Sequence, residues 1–222
     1  PNVVRVYMAG RPGRFPPYYT MEFMPGGSLH DRLSHGPLPL DEVGRVFGAI
    51  LDGLQYMHEA GAVHRDIKPR TILFSEKGVP KISDFGITKW TGAGLTTLTT
   101  SDVVIGTPLY MAPECGRGEP ATIRSDLYSI GVTLYESLVG EPPYQADTLM
   151  AVLLKSITDP FPLLRTKAAH ISPELEAFVL RLCAKEPGDR YESAGEAKEA
   201  LLKALPTPGQ PEAGTPAQLE VR

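Results

Sequence analysis

The sequence predicts an α+β fold in which long helices dominate and the strands are few and short. Two runs near the start of the chain, 3–7 and 18–23, are rich in β-branched and aromatic residues and flank a Gly-rich turn. Two more strand-like runs, 71–74 and 80–83, flank Gly78. Most of the remaining chain carries apolar residues at three- and four-residue steps, which indicates amphipathic helices.

The first helices follow a Pro-Gly-Gly break at 25–27. Residues 29–33 are predicted to form one short helix, and Asp41 is expected to cap a much longer helix that ends at Gly61. The apolar face of the long helix comprises Val43, Val46, Phe47, Ile50, Leu51, Leu54 and Met57. His58 lies in the same helix and is expected at its surface.

The second half of the chain reads as a series of helices. The stretch 123–139 has apolar residues on nearly every helical face, so this helix is expected to be buried centrally. Asp126, near its start, would then be a buried carboxylate that requires hydrogen-bond donors. Three further helices are predicted at 147–156, 173–183 and 193–204. From Pro206 onward the composition predicts a disordered linker.

Composition excludes several classes of protein. The chain has 222 residues, 42% of them hydrophobic and 22% charged, which is ordinary for a globular domain with a sizeable core. A net charge of −4 argues against nucleic-acid binding. No apolar run approaches the roughly 20 residues that span a bilayer. Two cysteines, Cys115 and Cys183, cannot form a disulfide framework, so a cytoplasmic location is expected.

Three short motifs occur in a fixed order. His-Arg-Asp stands at 64–66, Asp-Phe-Gly at 84–86 and Ala-Pro-Glu at 112–114. Any one of them is a weak signal, because short matches arise by chance. Their order and spacing together are specific.

These motifs resemble those of eukaryotic-type (Hanks-type) protein serine/threonine kinases, and the surrounding sequence is most similar to the bacterial members of that family. The resemblance covers about residues 1–205. It implies a protein-kinase-like fold, with residues 1–24 as the last strands and hinge of the small lobe and 25–205 as the helical catalytic lobe. Residues 206–222 would be the linker.

The resemblance also implies a role for each site residue. Asp66 would take the proton of the acceptor hydroxyl, Lys68 would contact the γ-phosphate, and Arg65 would grip a phosphorylated activation loop. Asp84 and Thr71 would hold Mg²⁺. The nucleotide-binding residues would be Met21, Glu22, Met24, Ser28, Leu73 and Lys68. The implied reaction transfers the γ-phosphate of ATP to Ser or Thr hydroxyls of protein substrates.

The chain departs from the family pattern in two places, and the first of them, Thr71, favours a second hypothesis. Thr71 stands where the family has a metal-binding Asn. The Gly-rich loop and the strand lysine of the family have no counterpart in these 222 residues, and the chain starts at Pro1, so we expect it to be part of a longer protein and a poor catalyst alone. The alternative to a kinase is a pseudokinase that binds nucleotide or docks proteins. The presence of Asp66, Lys68 and Asp84 weighs against it.

The segment between the second and third motifs resembles an activation loop. It carries five clustered hydroxyl residues, Thr96, Thr97, Thr99, Thr100 and Ser101. We expect autophosphorylation here, with the phosphate bound by Arg65; Lys89 is either a second contact to the phosphate or a solvated loop lysine. Thr107 would instead bond to Asp66 and Lys68. Further along, Glu114 and Arg190 match an ion pair that braces the large lobe of kinases.

Overall fold

A computed structural model of the chain describes residues 1–10, 18–84 and 108–206. Several predictions therefore fall outside the described residues: those on Phe85, Gly86, Lys89, the hydroxyl cluster 96–101, Thr107 and the tail from residue 207. The described part confirms the α+β class, with two small antiparallel sheets and mainly helical structure otherwise.

The strands form two hairpin-like pairs. β1 (Val6–Gly10) pairs with β2 (Tyr18–Met21), and β3 (Ile72–Phe74) pairs with β4 (Pro80–Ile82). The helices are α1 (Leu29–Leu33), α2 (Leu40–Glu59), α3 (Pro113–Gly116), α4 (Ile123–Val139), α5 (Leu149–Thr158), α6 (Pro173–Leu182) and α7 (Ala194–Ala204). Within the described ranges, no helix combines the length and apolarity needed to cross a membrane.

The first strand begins later in the chain than predicted, because the run 3–7 pairs with two different strands. Its start pairs with β4 and its end pairs with β2. Val4 N–H donates to Ile82 O at 2.8 Å, and Ile82 N–H donates to Asn2 O at 2.9 Å. Val3 forms a parallel bridge with Ile82, so the start of the chain extends the β3–β4 pair and only the residues from Val6 onward pair with β2. This arrangement fixes the β1–β2 hairpin against β4.

The predicted cap of the long helix is wrong. α2 begins at Leu40, and the capping position is Pro39, which has no side-chain hydrogen bond to the helix. Asp41 lies in the first turn, where its negative charge is favourable at the positive end of the helix dipole. At the other end Gly61 has φ +74, so the predicted left-handed conformation is confirmed.

Helix α4 is buried centrally, as predicted. Its side chains are buried along nearly the whole length, and it packs against α2 and α6. A Cβ at Gly131 would lie 2.5 Å from Cys183 Sγ and 2.8 Å from Leu182 Cβ, so only glycine permits this close approach to the end of α6.

The last three helices begin at hydroxyl caps. The side chains of Thr148, Ser172 and Ser193 each accept a hydrogen bond from the backbone N–H three residues later. The predicted helices 147–156, 173–183 and 193–204 thus exist, with ends displaced by one or two residues.

Candidate active site

The segment 64–71 forms a tight loop between α2 and β3, and its shape is set by a buried histidine. His64 is 1% exposed. Its Nε2 lies 2.8 Å from Ser83 O, and its Nδ1 accepts a hydrogen bond from Asp66 N–H at 3.2 Å. Both contacts are satisfied when Nε2 carries the proton. The imidazole therefore ties the Asp66 backbone to the strand end that leads to Asp84.

A second anchor comes from helix α4. The Asp126 carboxylate, 1% exposed, accepts hydrogen bonds from His64 N–H and Arg65 N–H, both at 2.8 Å. These bonds supply the donors that a buried Asp126 was predicted to need, and both come from the backbone of the loop. Arg65 has φ +73, a left-handed conformation that costs energy for a residue with a side chain and persists because Asp126 holds its N–H.

His58 was expected at the surface of α2, and that expectation is wrong. Its side chain is only 5% exposed, and its Nε2 lies 3.0 Å from Asp126 Oδ2. The periodicity of apolar residues did not indicate that His58 is buried, because a polar histidine is ordinarily assigned to the exposed face of a helix. Its partner Asp126 lies 68 residues away in the sequence, so no local pattern indicated the contact.

The two residues expected at the transferred phosphate contact each other. Lys68 Nζ lies 2.9 Å from Asp66 Oδ1 and 2.7 Å from Asp66 Oδ2. The side chains are 17% and 34% exposed, so the pair is partly open to solvent and not part of the core. An acceptor hydroxyl that reached the pair would therefore meet a carboxylate and an ammonium side by side.

Thr71 is buried and bonds mainly to the loop itself. Its hydroxyl lies 3.1 Å from Asp66 O and 3.0 Å from Lys68 O, and it accepts a hydrogen bond from Lys68 N–H at 3.1 Å. A hydroxyl has one proton and two lone pairs. One lone pair is therefore left for any further ligand.

Asp84 follows β4 by two residues, and two side chains contact its carboxylate, of which Ser83 also bonds to the Asp66 loop. Ser83 Oγ lies 3.0 Å from Thr71 O and 3.2 Å from Asp84 Oδ2. Tyr19 on β2 donates its hydroxyl to Asp84 Oδ1. Burial and this carboxylate raise the pKa of Tyr19 to about 12, so the phenol keeps its proton at neutral pH. No motif in the sequence pointed to Ser83 or Tyr19.

Four of the predicted nucleotide-binding residues, Met21, Glu22, Met24 and Ser28, lie between the end of β2 and the start of α1. Met21 ends β2, and Met24 is 8% exposed. Glu22 is held by Lys81 Nζ, 2.7 Å from each carboxylate oxygen, and by the Arg5 N–H at 2.8 Å; these two contacts lower the pKa of Glu22. The Glu22 carboxylate therefore secures the segment to β4.

Ser28 and Leu73 lie next to each other. They form an antiparallel bridge, and the backbone around it is paired, since Phe74 N–H donates to Gly27 O at 2.8 Å. The Ser28 hydroxyl caps α1 by accepting from Asp31 N–H and donates to the Asp31 carboxylate at 2.7 Å. The Ser28 N–H also donates to the Asp31 carboxylate, at 2.8 Å, so the hydroxyl and the N–H of Ser28 are both engaged in the cap of α1.

The predicted ion pair is confirmed. Arg190 Nη1 and Nη2 each donate to one oxygen of Glu114 at 2.8 Å, and the arginine is 1% exposed. Burial raises the pKa of Glu114, but Arg190 and the Ser125 hydroxyl outweigh it, so the pKa lies below its usual value. The same guanidinium donates to the carbonyl oxygens of Ala184, Arg124 and Lys185. The pair joins α3 to the start of α4, where Asp126 holds the loop.

The fold and the site together define a protein kinase domain. The family model of that description, "Protein kinase domain", matches residues 1–202, and the chain belongs to this family.

Among characterised relatives, the chain is 37% identical to the serine/threonine-protein kinase PknB of Mycolicibacterium smegmatis over 208 residues, which is 91% of this chain and 33% of that protein. It is 36% identical to the serine/threonine-protein kinase PknL of Mycobacterium tuberculosis over 210 residues, 93% of this chain and 52% of that protein. It is 38% identical to the probable serine/threonine-protein kinase SCO3848 of Streptomyces coelicolor over 203 residues, 90% of this chain and 30% of that protein. The chain thus spans a third to a half of these relatives.

Proposed function

We propose that the protein is a serine/threonine kinase that transfers the γ-phosphate of ATP to Ser or Thr hydroxyls of protein substrates in a signalling pathway. The observation that carries the proposal is the partly exposed Asp66–Lys68 pair, with Asp84 joined to the same loop through Ser83. The relatives support the Ser/Thr class, since each of the three is named as a serine/threonine-protein kinase.

In this proposal the acceptor hydroxyl attacks the γ-phosphorus while its proton passes to the Asp66 carboxylate, and the bond to the β-phosphate oxygen breaks to release ADP. Lys68 Nζ lies against Asp66, so it can move to the γ-phosphate oxygens as negative charge builds there. The anchors from His64 and Asp126 hold the backbone of Asp66 in place during the transfer. Positioning and charge neutralisation then supply most of the catalysis.

The nucleotide would lie between the β1–β2 hairpin and the Asp66 loop. Met21, Glu22 and Met24 would present the hinge backbone to the adenine, and Ser28 and Leu73 would line the floor, where they already pair. Because the nucleotide would then lie between two lobes, we assign residues 1–24 to the small lobe and residues 25–205 to the catalytic lobe.

The donor set fits Mg²⁺ at Asp84. Mg²⁺ commonly binds through one or two carboxylates together with phosphate and water oxygens. Both Asp84 oxygens accept one hydrogen bond each and keep further lone pairs. When bound, the ion would neutralise charge on the phosphates. Thr71 is proposed as a weaker second ligand through its remaining lone pair.

Replacing Thr71 with Val tests its two proposed roles, which are to bond to the loop backbone and to bind the metal. We expect a loss of about 1–3 kcal/mol in the free energy of unfolding, because the loop backbone of Asp66 and Lys68 loses a buried partner. If Thr71 also binds the metal, the Mg²⁺ concentration for half-maximal rate rises as well. Thr71→Ser keeps the hydroxyl and is the matched control. A Val variant with wild-type stability and Mg²⁺ dependence would remove Thr71 from both roles.

Arg65 and the hydroxyl cluster 96–101 carry the regulatory part of the proposal. Arg65 is exposed beside Asp66, so its guanidinium is available to a phosphate. We propose that the protein phosphorylates itself within 96–101. Because both cysteines are buried free thiols, we also propose a reducing, cytoplasmic environment for this domain.

The second candidate function is a pseudokinase that binds nucleotide without transferring phosphate. The observation that favours it is the engagement of the Thr71 hydroxyl by the loop, where the family has a metal-binding Asn. One experiment distinguishes the two. The full-length protein is incubated with radiolabelled ATP, Mg²⁺ and a generic protein substrate, and the labelled amino acids are identified.

Label on Ser or Thr, absent from an Asp66→Asn variant, supports the kinase. Label on Tyr contradicts the proposed substrate class. Binding of ATP with no transfer under any metal condition supports the pseudokinase.

A further inference from the structure

Within the described part of the chain, the Asp84 carboxylate has few contacts, and one of them comes from strand β2. Asp84 lies beyond the end of β4 and has φ +64, so no regular backbone bonding fixes its direction. Among the described residues, its side chain accepts hydrogen bonds from Ser83 and from Tyr19. Ser83 is its chain neighbour, whereas Tyr19 lies 65 residues away.

The position of Tyr19 is determined by the backbone. The burial of β2 alternates, so Tyr19 and Met21 share the less exposed face while Tyr18 and Thr20 share the other. The hairpin is fixed to β4 by the Val4–Ile82 backbone bond and by the Glu22–Lys81 ion pair. Because Asp84 follows Ile82 by two residues, this docking brings the Tyr19 phenol to its carboxylate.

We propose that Tyr19 is a positioning residue, whose hydroxyl orients the Asp84 carboxylate for the metal that accompanies the nucleotide. The inference rests on the proposed kinase function only in taking Asp84 as the metal ligand. Hydrogen-bond partners of a ligating carboxylate set its direction, and losing one typically costs about 10- to 100-fold in metal affinity. The phenol occupies one lone pair of Oδ1, so the carboxylate keeps others for a metal ion.

The test measures binding rather than turnover. In the full-length protein, calorimetry gives the affinity for ATP with MgCl₂ and with EDTA for wild type, Tyr19→Phe and Tyr18→Phe. We expect Tyr19→Phe to weaken binding of ATP with Mg²⁺ by about 10-fold or more while leaving metal-free ATP binding unchanged. Tyr18→Phe, on the exposed face of the same strand, is expected to match wild type.

A double-mutant cycle locates the effect. In an Asp84→Asn background, Tyr19→Phe should cause little further loss of Mg²⁺-dependent affinity, because the group that Tyr19 orients has already lost its charge. Equal weakening with and without Mg²⁺, a full additional loss in the Asp84→Asn background, or unchanged or tighter Mg²⁺-dependent binding in Tyr19→Phe would each overturn the proposal. Wild-type protein that binds no ATP with Mg²⁺ would instead contradict the proposed function itself, so the two failures are distinguishable.

Discussion

Replacing Asp66 with Asn is expected to lower the rate of phosphoryl transfer by about 100- to 10,000-fold, the usual contribution of a general base. The variant keeps the shape of the side chain but cannot accept the proton of the acceptor hydroxyl. Its affinity for ATP with Mg²⁺ should not fall, because the Asp66 carboxylate bonds to Lys68 and not to Asp84. Losing that anionic partner also leaves Lys68 free for the phosphate. Single-turnover kinetics and calorimetry on the full-length protein measure the two quantities.

Asp84→Asn is the informative comparison. It should lower the rate as strongly, but through weaker binding of ATP with Mg²⁺, since the metal loses its charged ligand. Asp52→Asn serves as a control for removing an Asp–Lys contact, because Lys198 bonds to both Asp52 oxygens at 2.7 Å on the surface of α2. An equal fall in nucleotide affinity for Asp66→Asn and Asp84→Asn would contradict the proposed division of roles.

Arg190→Met is expected to lower the free energy of unfolding by about 3–5 kcal/mol, because it leaves the Glu114 carboxylate buried without its cation. Three carbonyl oxygens also lose a donor. Denaturant unfolding should show a lower midpoint with an unchanged slope. Since Arg190 also bonds to Arg124 O at the start of α4, we expect reduced phosphoryl transfer in the fraction that remains folded.

Arg181→Met is the matched control for this prediction. Arg181 bonds to Glu196 at 3.0 Å, but the two side chains are 47% and 40% exposed. Surface pairs of this kind contribute about 0–1 kcal/mol. If Arg190→Met and Arg181→Met lower the free energy of unfolding by the same small amount, the prediction that the buried Glu114–Arg190 pair contributes more than a surface pair is wrong.

Local sequence patterns predicted a helix or strand well where its own residues set its bounds. The central helix α4 has its predicted bounds because its apolar residues surround it and Gly140, with φ +90, ends it. The run 3–7 was predicted less well, since a strand period does not say which neighbour each residue will pair with. The predicted cap, Asp41, is two positions too late, because Pro39 takes the role of cap without offering a side-chain acceptor.

By itself the sequence determined the family and predicted the principal site residues, because the order and spacing of the three motifs, which include Asp66 and Asp84, are those of one family. It also predicted that a buried Asp126 needs hydrogen-bond donors, since a buried charge must be compensated, and that Glu114 pairs with Arg190.

Only the tertiary structure decided which groups those residues bond to. His58 reaches Asp126, Tyr19 reaches Asp84 and the Thr71 hydroxyl turns to its own loop. Tyr19 and Asp84 lie 65 residues apart, and His58 and Asp126 lie 68 apart. Contacts at such separations follow from how hairpin, loop and helices pack in space, and periodicity in sequence carries no record of that packing.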